Sequence, residues 1–177
     1  MDTRKAIAYR KCTRDFINDK QITDDVLERI LEAANAAPVA HGEYDALHLT
    51  VIQNAEILND IKEVALDCLR DPILDIYYGA PTCILISTKH GSVPELDMAN
   101  VGTIAENMLL QATDDGIQSC YIWGTVLALR EDPELAVKIE LPEGYVPLGS
   151  IVLGYSKEQD TTEKQIYKER IKVNVIK

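Results

Sequence analysis

The residues that most constrain the fold form a run of continuous apolar character at positions 82–87, TCILIS, which follows Pro81. A strand with apolar residues at nearly every position, rather than at every second one, is typical of a strand covered on both faces. The run therefore predicts a central strand of the sheet. Three further β-rich runs predict strands at residues 47–52, 119–123 and 148–155, and the first of these, LHLTVI, is expected to be buried.

Helical patterns are interspersed with these strands. They cover residues 3–9, Thr23 to Ala37 before Pro38, Asn54 to Leu69, Pro94 to Asp115, and turns around 125–139. Thr23 and Asn54 are residues that cap helix N-termini, and residues 171–176 predict either an extended arm or an edge strand. No glycine-rich turn follows the first strand, so a Rossmann dinucleotide-binding unit is not supported. The order of elements predicts an α+β or α/β domain around one sheet of four or five strands.

Composition excludes several classes of protein. The chain has 177 residues with a net charge of −11 and 46% apolar residues, which predicts one folded domain over residues 1–177 and argues against a disordered chain or a nucleic-acid-binding protein. It has neither an apolar run of the roughly 18 residues that a membrane span needs nor the apolar core of a signal peptide. Its four cysteines show no zinc spacing and are expected to be reduced thiols, so the sequence predicts a cytoplasmic protein.

Charge is unevenly distributed along the chain. Residues 1–14 and 157–177 carry 11 of the 18 Lys and Arg residues but only five of the 29 Asp and Glu residues, a net charge of +6, whereas residues 15–156 carry −17. If the two ends meet in the fold, they form one cationic site suited to a small anion. The alternative is that both ends are solvated and frayed.

Most common catalytic and metal-binding motifs are missing from the sequence. The three histidines lack metal-ligand spacing, and there is no GxSxG nucleophile motif. Cys12 lies among Arg10, Lys11 and Arg14, so it is either a reactive thiolate or a small residue that lines an anion site. Arg10 and Arg14 would project to one side if this segment were helical, and arginine suits bidentate contact with phosphate.

The order of several motifs resembles the nitroreductase family of FMN-dependent oxidoreductases. YRKCTRDF at positions 9–16 is similar to that family's RRSxRxF element, and AANAAPVAHG at 33–42 to its AAxxAPSxxN element. LHLTVI, APTCILIS, the long helix after position 94, SCYIWG, LGSIVLGYSKE and KERIKVNVI then follow in the family's order. The chain departs from the pattern at Cys12 and Val39, where serine is usual, and at Gly42, where asparagine is common.

The resemblance implies an α+β fold with a central mixed or antiparallel sheet flanked by helices, assembled as an intertwined homodimer. It implies one FMN at each of two subunit interfaces, a hydride from NADH or NADPH, and a small electron acceptor of nitroaromatic or quinone type. It implies no catalytic side chain and no metal, because the flavin carries the chemistry. The resemblance assigns the FMN phosphate to Arg10, Cys12 and Arg14 together with Lys168 and Arg170, and it also gives Lys11 as a cofactor-binding residue. It places Trp123 and Gly124 beside the flavin ring through their backbone, and beside the same ring it places four residues of the partner subunit: Pro38, Val39, Ala40 and Gly42.

Two other functions are compatible with the sequence. The altered loop AHGEYD at positions 40–45 suggests a dimeric flavin-binding or interaction protein without turnover. A thiol enzyme built on Cys12 is the other. Trp123 itself either stacks on a substrate or fills the core.

Overall fold

The fold is built on a four-stranded sheet, as seen in a computed structural model that describes residues 1–71, 73–90, 93–158, 162–167 and 170–177. The strands are β1 (Leu47–Ile52), β2 (Thr82–Thr88), β3 (Gln118–Ile122) and β4 (Val146–Gly154). Their spatial order is β1-β2-β4-β3, and all three pairings are antiparallel. This confirms an α+β architecture, and between the named strands the sheet is antiparallel rather than mixed.

The central position predicted for TCILIS is confirmed, because every residue of β2 is buried and the strand lies between β1 and β4. Alternate side chains of β2 enter two different cores: Cys83 and Leu85 on one face, Ile84 and Ile86 on the other. A strand that supplies two cores has no face for polar residues, which explains its continuous apolar character.

The prediction that β1 is buried is wrong. It is an edge strand in which only Ile52 is buried and the other five residues are half-buried. Its apolar residues indicated a strand covered by its neighbours. An edge strand has no neighbouring strand on one side, and the composition of the strand does not reveal that position.

Six α-helices surround the sheet in the described residues. They are α1 (Thr3–Tyr9), α2 (Asp24–Asn35), α3 (Ala55–Leu69), α4 (Asp97–Asp114), α5 (Gly124–Glu131) and α6 (Pro133–Lys138), with short 3-10 turns at Ala40–Gly42, Tyr44–Ala46 and Pro94–Leu96. Helices α2 and α4 cover one face of the sheet, and α3, α5 and α6 cover the other. The long helix therefore begins after a 3-10 turn at Pro94.

The two predicted helix caps differ. Asn54 accepts hydrogen bonds from the backbone nitrogens of Glu56 and Ile57 at 2.9 and 3.1 Å, as expected for an N-cap. Thr23 occupies the N-cap position of α2 but its side chain makes no capping hydrogen bond. Helix α2 also ends at Asn35, two residues before the predicted end at Ala37.

The C-terminal residues lie outside the sheet. Residues 162–167 and 170–177 form no strand in the part of the chain that the structure describes, so an extended arm is the better description. None of the helices within the described residues is long and apolar enough to cross a membrane.

Candidate functional site

The basic N-terminal segment is extended rather than helical. Helix α1 ends at Tyr9, after which Cys12 pairs in parallel with Ser119 of β3 and Phe16 pairs with Ser156. The backbone nitrogen of Thr13 donates to the Ser119 carbonyl at 2.9 Å. The helical geometry considered for Arg10 and Arg14 is therefore wrong, but in an extended chain residues 10, 12 and 14 also share one side, because side chains alternate.

Arg10 and Cys12 lie in direct contact, and Arg14 lies close enough for its charge to act on the Cys12 thiol. Arg10 Nη1 lies 4.0 Å from Cys12 Sγ, and the Arg14 guanidinium lies 5.9 Å from the centre of the Tyr78 ring. Arg10 Nε lies 3.1 Å from a carboxylate oxygen of Glu106 on α4, yet it is buried and makes no aligned hydrogen bond with any described atom. A buried N–H donor that no acceptor meets in line can still bond to an added anion, although the Glu106 carboxylate already offsets part of the Arg10 charge.

The two basic ends of the chain meet at this segment. The backbone nitrogen of Lys164 donates to the Ala8 carbonyl at 3.0 Å, and its Nζ donates to the Arg10 carbonyl at 2.8 Å. Partial burial, together with the charge of Arg10, lowers the pKa of Lys164. The two basic ends therefore meet, as the charge distribution required for a cationic site. The alternative of solvated, frayed ends is wrong for residues 162–164. Lys164 had not been selected from the sequence, although it belongs to the cationic C-terminal count.

The resemblance also assigns Lys11, Arg170 and Lys168 to FMN, and the structure describes the first two of these residues. Lys11 donates from Nζ to Thr162 Oγ1 at 2.8 Å and lines a cavity of about 400 Å³ together with Cys12 and Thr13. Arg170 lies with its guanidinium 5.0 Å from the centre of the Tyr167 ring. Lys168 lies outside the described residues.

The surroundings of the Cys12 thiol favour its thiolate form. Its pKa falls from the ordinary 9.0 to about 5, chiefly because the Cys120 thiol donates a hydrogen bond to it, with the Tyr121 backbone N–H and the Arg10 charge acting in the same direction. Partial burial opposes this shift. The pKa of Cys120 is correspondingly raised, first by that same hydrogen bond and then by burial.

The loop at residues 38–42 is fixed to α4 of its own chain. Asn100 Oδ1 accepts from the Ala40 nitrogen at 2.9 Å, and Thr103 Oγ1 donates to the Pro38 carbonyl at 3.0 Å. Val39 and Ala40 are half-buried, whereas Pro38 and Gly42 are exposed, and Gly42 has a left-handed φ of 69°. The same helix carries Glu106 one turn further on, so this loop and the Arg10 cluster are both anchored to α4. No sequence motif had indicated Asn100 or Thr103.

Trp123 lies at the exposed end of β3 and does not fill the core. Its side chain is 42% exposed, and the Arg130 guanidinium lies 5.3 Å from its ring centre. Gly124 begins α5, and a Cβ at this position would lie 2.9 Å from Cβ of Ile76. Gly124 is therefore closely packed against Ile76, whereas the neighbouring Trp123 is partly open to solvent. Among the described residues, no group of three or more His, Cys, Asp or Glu could hold a metal ion.

Comparisons with known proteins agree on one family. A model of the Nitroreductase family matches residues 7–155. A curated protein of Methanothermobacter thermautotrophicus, provisionally named NADH dehydrogenase/NAD(P)H nitroreductase, is 27% identical over 174 residues, with 97% of this chain and 86% of the relative covered. A similarly named protein of Archaeoglobus fulgidus is 29% identical over 158 residues, with 88% and 86% covered.

Solved structures give the same result. Nitroreductases with bound FMN from Desulfitobacterium hafniense and Bacteroides fragilis superpose with TM-scores of 0.84 and 0.83, at 26% and 27% identity, over 99% of this chain and 100% of each neighbour. The resemblance noted from the sequence motifs is thereby confirmed.

Proposed function

Because the chain belongs to the Nitroreductase family, we propose that it is an FMN-dependent oxidoreductase that takes a hydride from NADH or NADPH and reduces a small acceptor of nitroaromatic or quinone type. The observation that carries the proposal is the meeting of both basic ends at Arg10, where a buried N–H lacks an aligned acceptor. In an acidic protein, a basic cluster of this kind is suited to a phosphate group. Two similar solved nitroreductases contain bound FMN, which supports FMN as the molecule that carries this phosphate.

The cationic cluster would hold the FMN phosphate. Arg10, Arg14 and Lys164 provide charged donors, and Arg is suited to bidentate contact with phosphate oxygens. We assign Lys168 and Arg170 to the same group on the resemblance alone. Cys12 lies between the two arginines in sequence and supplies a sulfur where the family usually has a hydroxyl.

The flavin ring would lie beside Trp123, Gly124 and a loop of residues 38–42 from the partner subunit. FMN, when bound, supplies the hydride-accepting and hydride-donating chemistry, so this chain's residues orient it and exclude water. Both segments are tied to a helix, since Trp123 directly precedes α5 and the loop at residues 38–42 is hydrogen-bonded to Asn100 of α4.

We also propose that the chain is a homodimer. The C-terminal segment carries a series of apolar residues that are each at least half exposed: Ile166, Tyr167, Ile171, Val173, Val175 and Ile176. Exposed apolar segments of this kind are typical of interfaces between subunits. Val173 and Val137 are 77% and 78% exposed, so Val173→Asp should shift the mass measured by light scattering from dimer to monomer, while Val137→Asp should leave it unchanged.

An absorption spectrum with FMN tests the main proposal. The purified protein, supplied with FMN and passed through a desalting column, is expected to retain an oxidised-flavin spectrum that bleaches on addition of NADH or NADPH without oxygen. Reoxidation by a nitroaromatic compound or a quinone completes the test. Failure to retain FMN would refute the proposal, and retained FMN that neither nucleotide reduces would favour the flavin-binding protein without turnover.

A further inference from the structure

We propose that Cys12 and Cys120 form a peroxide-reactive thiol pair, in which Cys12 is oxidised first and Cys120 then closes a disulfide. The proposal does not depend on flavin binding. It rests on where the fold places these two sulfurs and on the charges around them.

The fold brings the two cysteines together from distant parts of the chain. The parallel pairing of Cys12 with Ser119 sets the N-terminal segment against β3, next to Cys120. Cys12 is exposed to solvent, whereas Cys120 is only 2% exposed. The pair therefore consists of one accessible sulfur and one buried sulfur, so an oxidant from solvent reaches Cys12 first.

The surroundings of Cys12 stabilise a negative sulfur. The charged and titratable groups that act on it are the Arg10 guanidinium at 4.0 Å, Arg14, Lys164 and the Cys120 thiol. Three of these four are cationic and the fourth donates a hydrogen bond. The thiolate is the reactive form of cysteine, so Cys12 is the sulfur that reacts.

The other two cysteines lack these features. Cys83 is fully buried, and burial raises the pKa of its thiol to about 12. Cys68 is a half-buried residue of α3, away from the basic cluster. Both serve as internal references for the reactivity of Cys12.

The reaction balances with hydrogen peroxide as the oxidant. The Cys12 thiolate attacks one peroxide oxygen, the O–O bond breaks, and the departing hydroxide takes a proton to become water, leaving a sulfenic acid. Cys120 loses its proton and attacks the Cys12 sulfur, and the displaced hydroxide leaves as a second water. Two thiols are oxidised by two electrons in all, and one peroxide is reduced to two waters.

Intact mass and peptide mapping test the pair directly. Protein with and without saturating FMN is treated with hydrogen peroxide, quenched by an alkylating agent and digested. We expect loss of two hydrogen masses, a crosslink between the peptides of Cys12 and Cys120, and reversal by dithiothreitol. Absence of that crosslink in both samples, or a crosslink that involves Cys68 or Cys83 instead, would overturn the proposal.

Variants separate the two steps. Cys120→Ser, with Cys120→Ala in reserve if the serine disturbs the core, should stop at a sulfenic acid that dimedone traps on Cys12. Cys12→Ser should give neither product, and Cys68→Ser should behave as the unmodified protein. Disulfide formation in Cys12→Ser, or no trapped product in either Cys120 variant, would show that Cys12 is not the first sulfur oxidised.

The pH profile of alkylation supplies a readout that simple exposure would not give. A low thiol pKa lowers intrinsic nucleophilicity as it raises the thiolate fraction, so rates at neutral pH discriminate poorly. With a pKa of about 5, the alkylation rate of Cys12 should change less than about twofold between pH 6 and pH 8, whereas a thiol at the ordinary 9.0 changes roughly 90-fold over that range. A steep profile for Cys12 would overturn the proposal.

Discussion

Replacing Arg14 by alanine removes one charged donor from the site proposed for the FMN phosphate. The guanidinium is exposed and stacks near Tyr78, so its removal opens no cavity in the core. Stability should therefore change little, and the effect should fall on ligand affinity. A hydrogen bond from an exposed charged group is screened by water, so its removal should lower FMN affinity by up to about fivefold.

Riboflavin makes the assay specific for the phosphate. It shares the flavin ring but lacks the phosphate, so Arg14→Ala should weaken FMN binding and leave riboflavin binding unchanged in fluorescence titrations. Arg4→Ala is the matched control, because Arg4 is an exposed arginine of α1 in the same basic end of the chain. It should leave both affinities unchanged.

Two results would refute the assignment of Arg14. An unchanged FMN affinity would mean that the phosphate binds elsewhere. An equal loss for FMN and riboflavin would mean that Arg14 acts on the ring or on the fold rather than on the phosphate. Salt provides a further check, since an exposed charge contact weakens as ionic strength rises.

Three further changes probe the same region. Glu106→Gln removes the carboxylate that competes with the phosphate for Arg10. Since exposed ion pairs contribute about 0.2–1 kcal/mol, FMN should bind up to about fivefold more tightly in the same titration. Weaker binding would contradict this prediction. Phe16→Ala should lower the free energy of unfolding by about 3–5 kcal/mol in urea, because Phe16 is 1% exposed, and a loss below about 1 kcal/mol would show that it does not anchor the segment. Cys12→Ser removes the thiolate that repels the phosphate, so above pH 5 the variant should bind FMN more tightly than the unmodified protein. The measurement is the ratio of the two FMN affinities as a function of pH, and a constant ratio would contradict the prediction.

The sheet was largely predictable because its signals are local. The continuous apolar run of β2 follows from burial on both faces, and the Asn54 cap follows from one side chain and its own backbone. The edge position of β1 was not predictable in the same way. An edge position depends on which strands do not pair, and no local pattern encodes that.

The site was predictable in composition but not in geometry. Arginines at positions 10 and 14 share a side in a helix and in an extended chain alike, so their spacing could not distinguish the two. Lys164 joins the site only because its backbone bonds to Ala8, over a separation of more than 150 residues. Asn100 acts through a hydrogen bond to the loop at residues 38–42, and an asparagine on a helix carries no signal of such a role.

The serine-to-cysteine departure links the two proposed activities of this site. A thiolate at position 12 and a phosphate would both be anions beside the same guanidinium groups, so each disfavours the other. Bound FMN should therefore raise the pKa of Cys12, and by reciprocity FMN should bind more tightly once Cys12 is protonated, as pH falls through about 5. The phosphate titrates in the same range, but it does so in the Cys12→Ser variant as well, so the ratio of the two affinities isolates the contribution of the thiol. Bound flavin would thus lower the thiolate fraction of Cys12 and slow its reaction with peroxide, and departure of the flavin would restore the more reactive form.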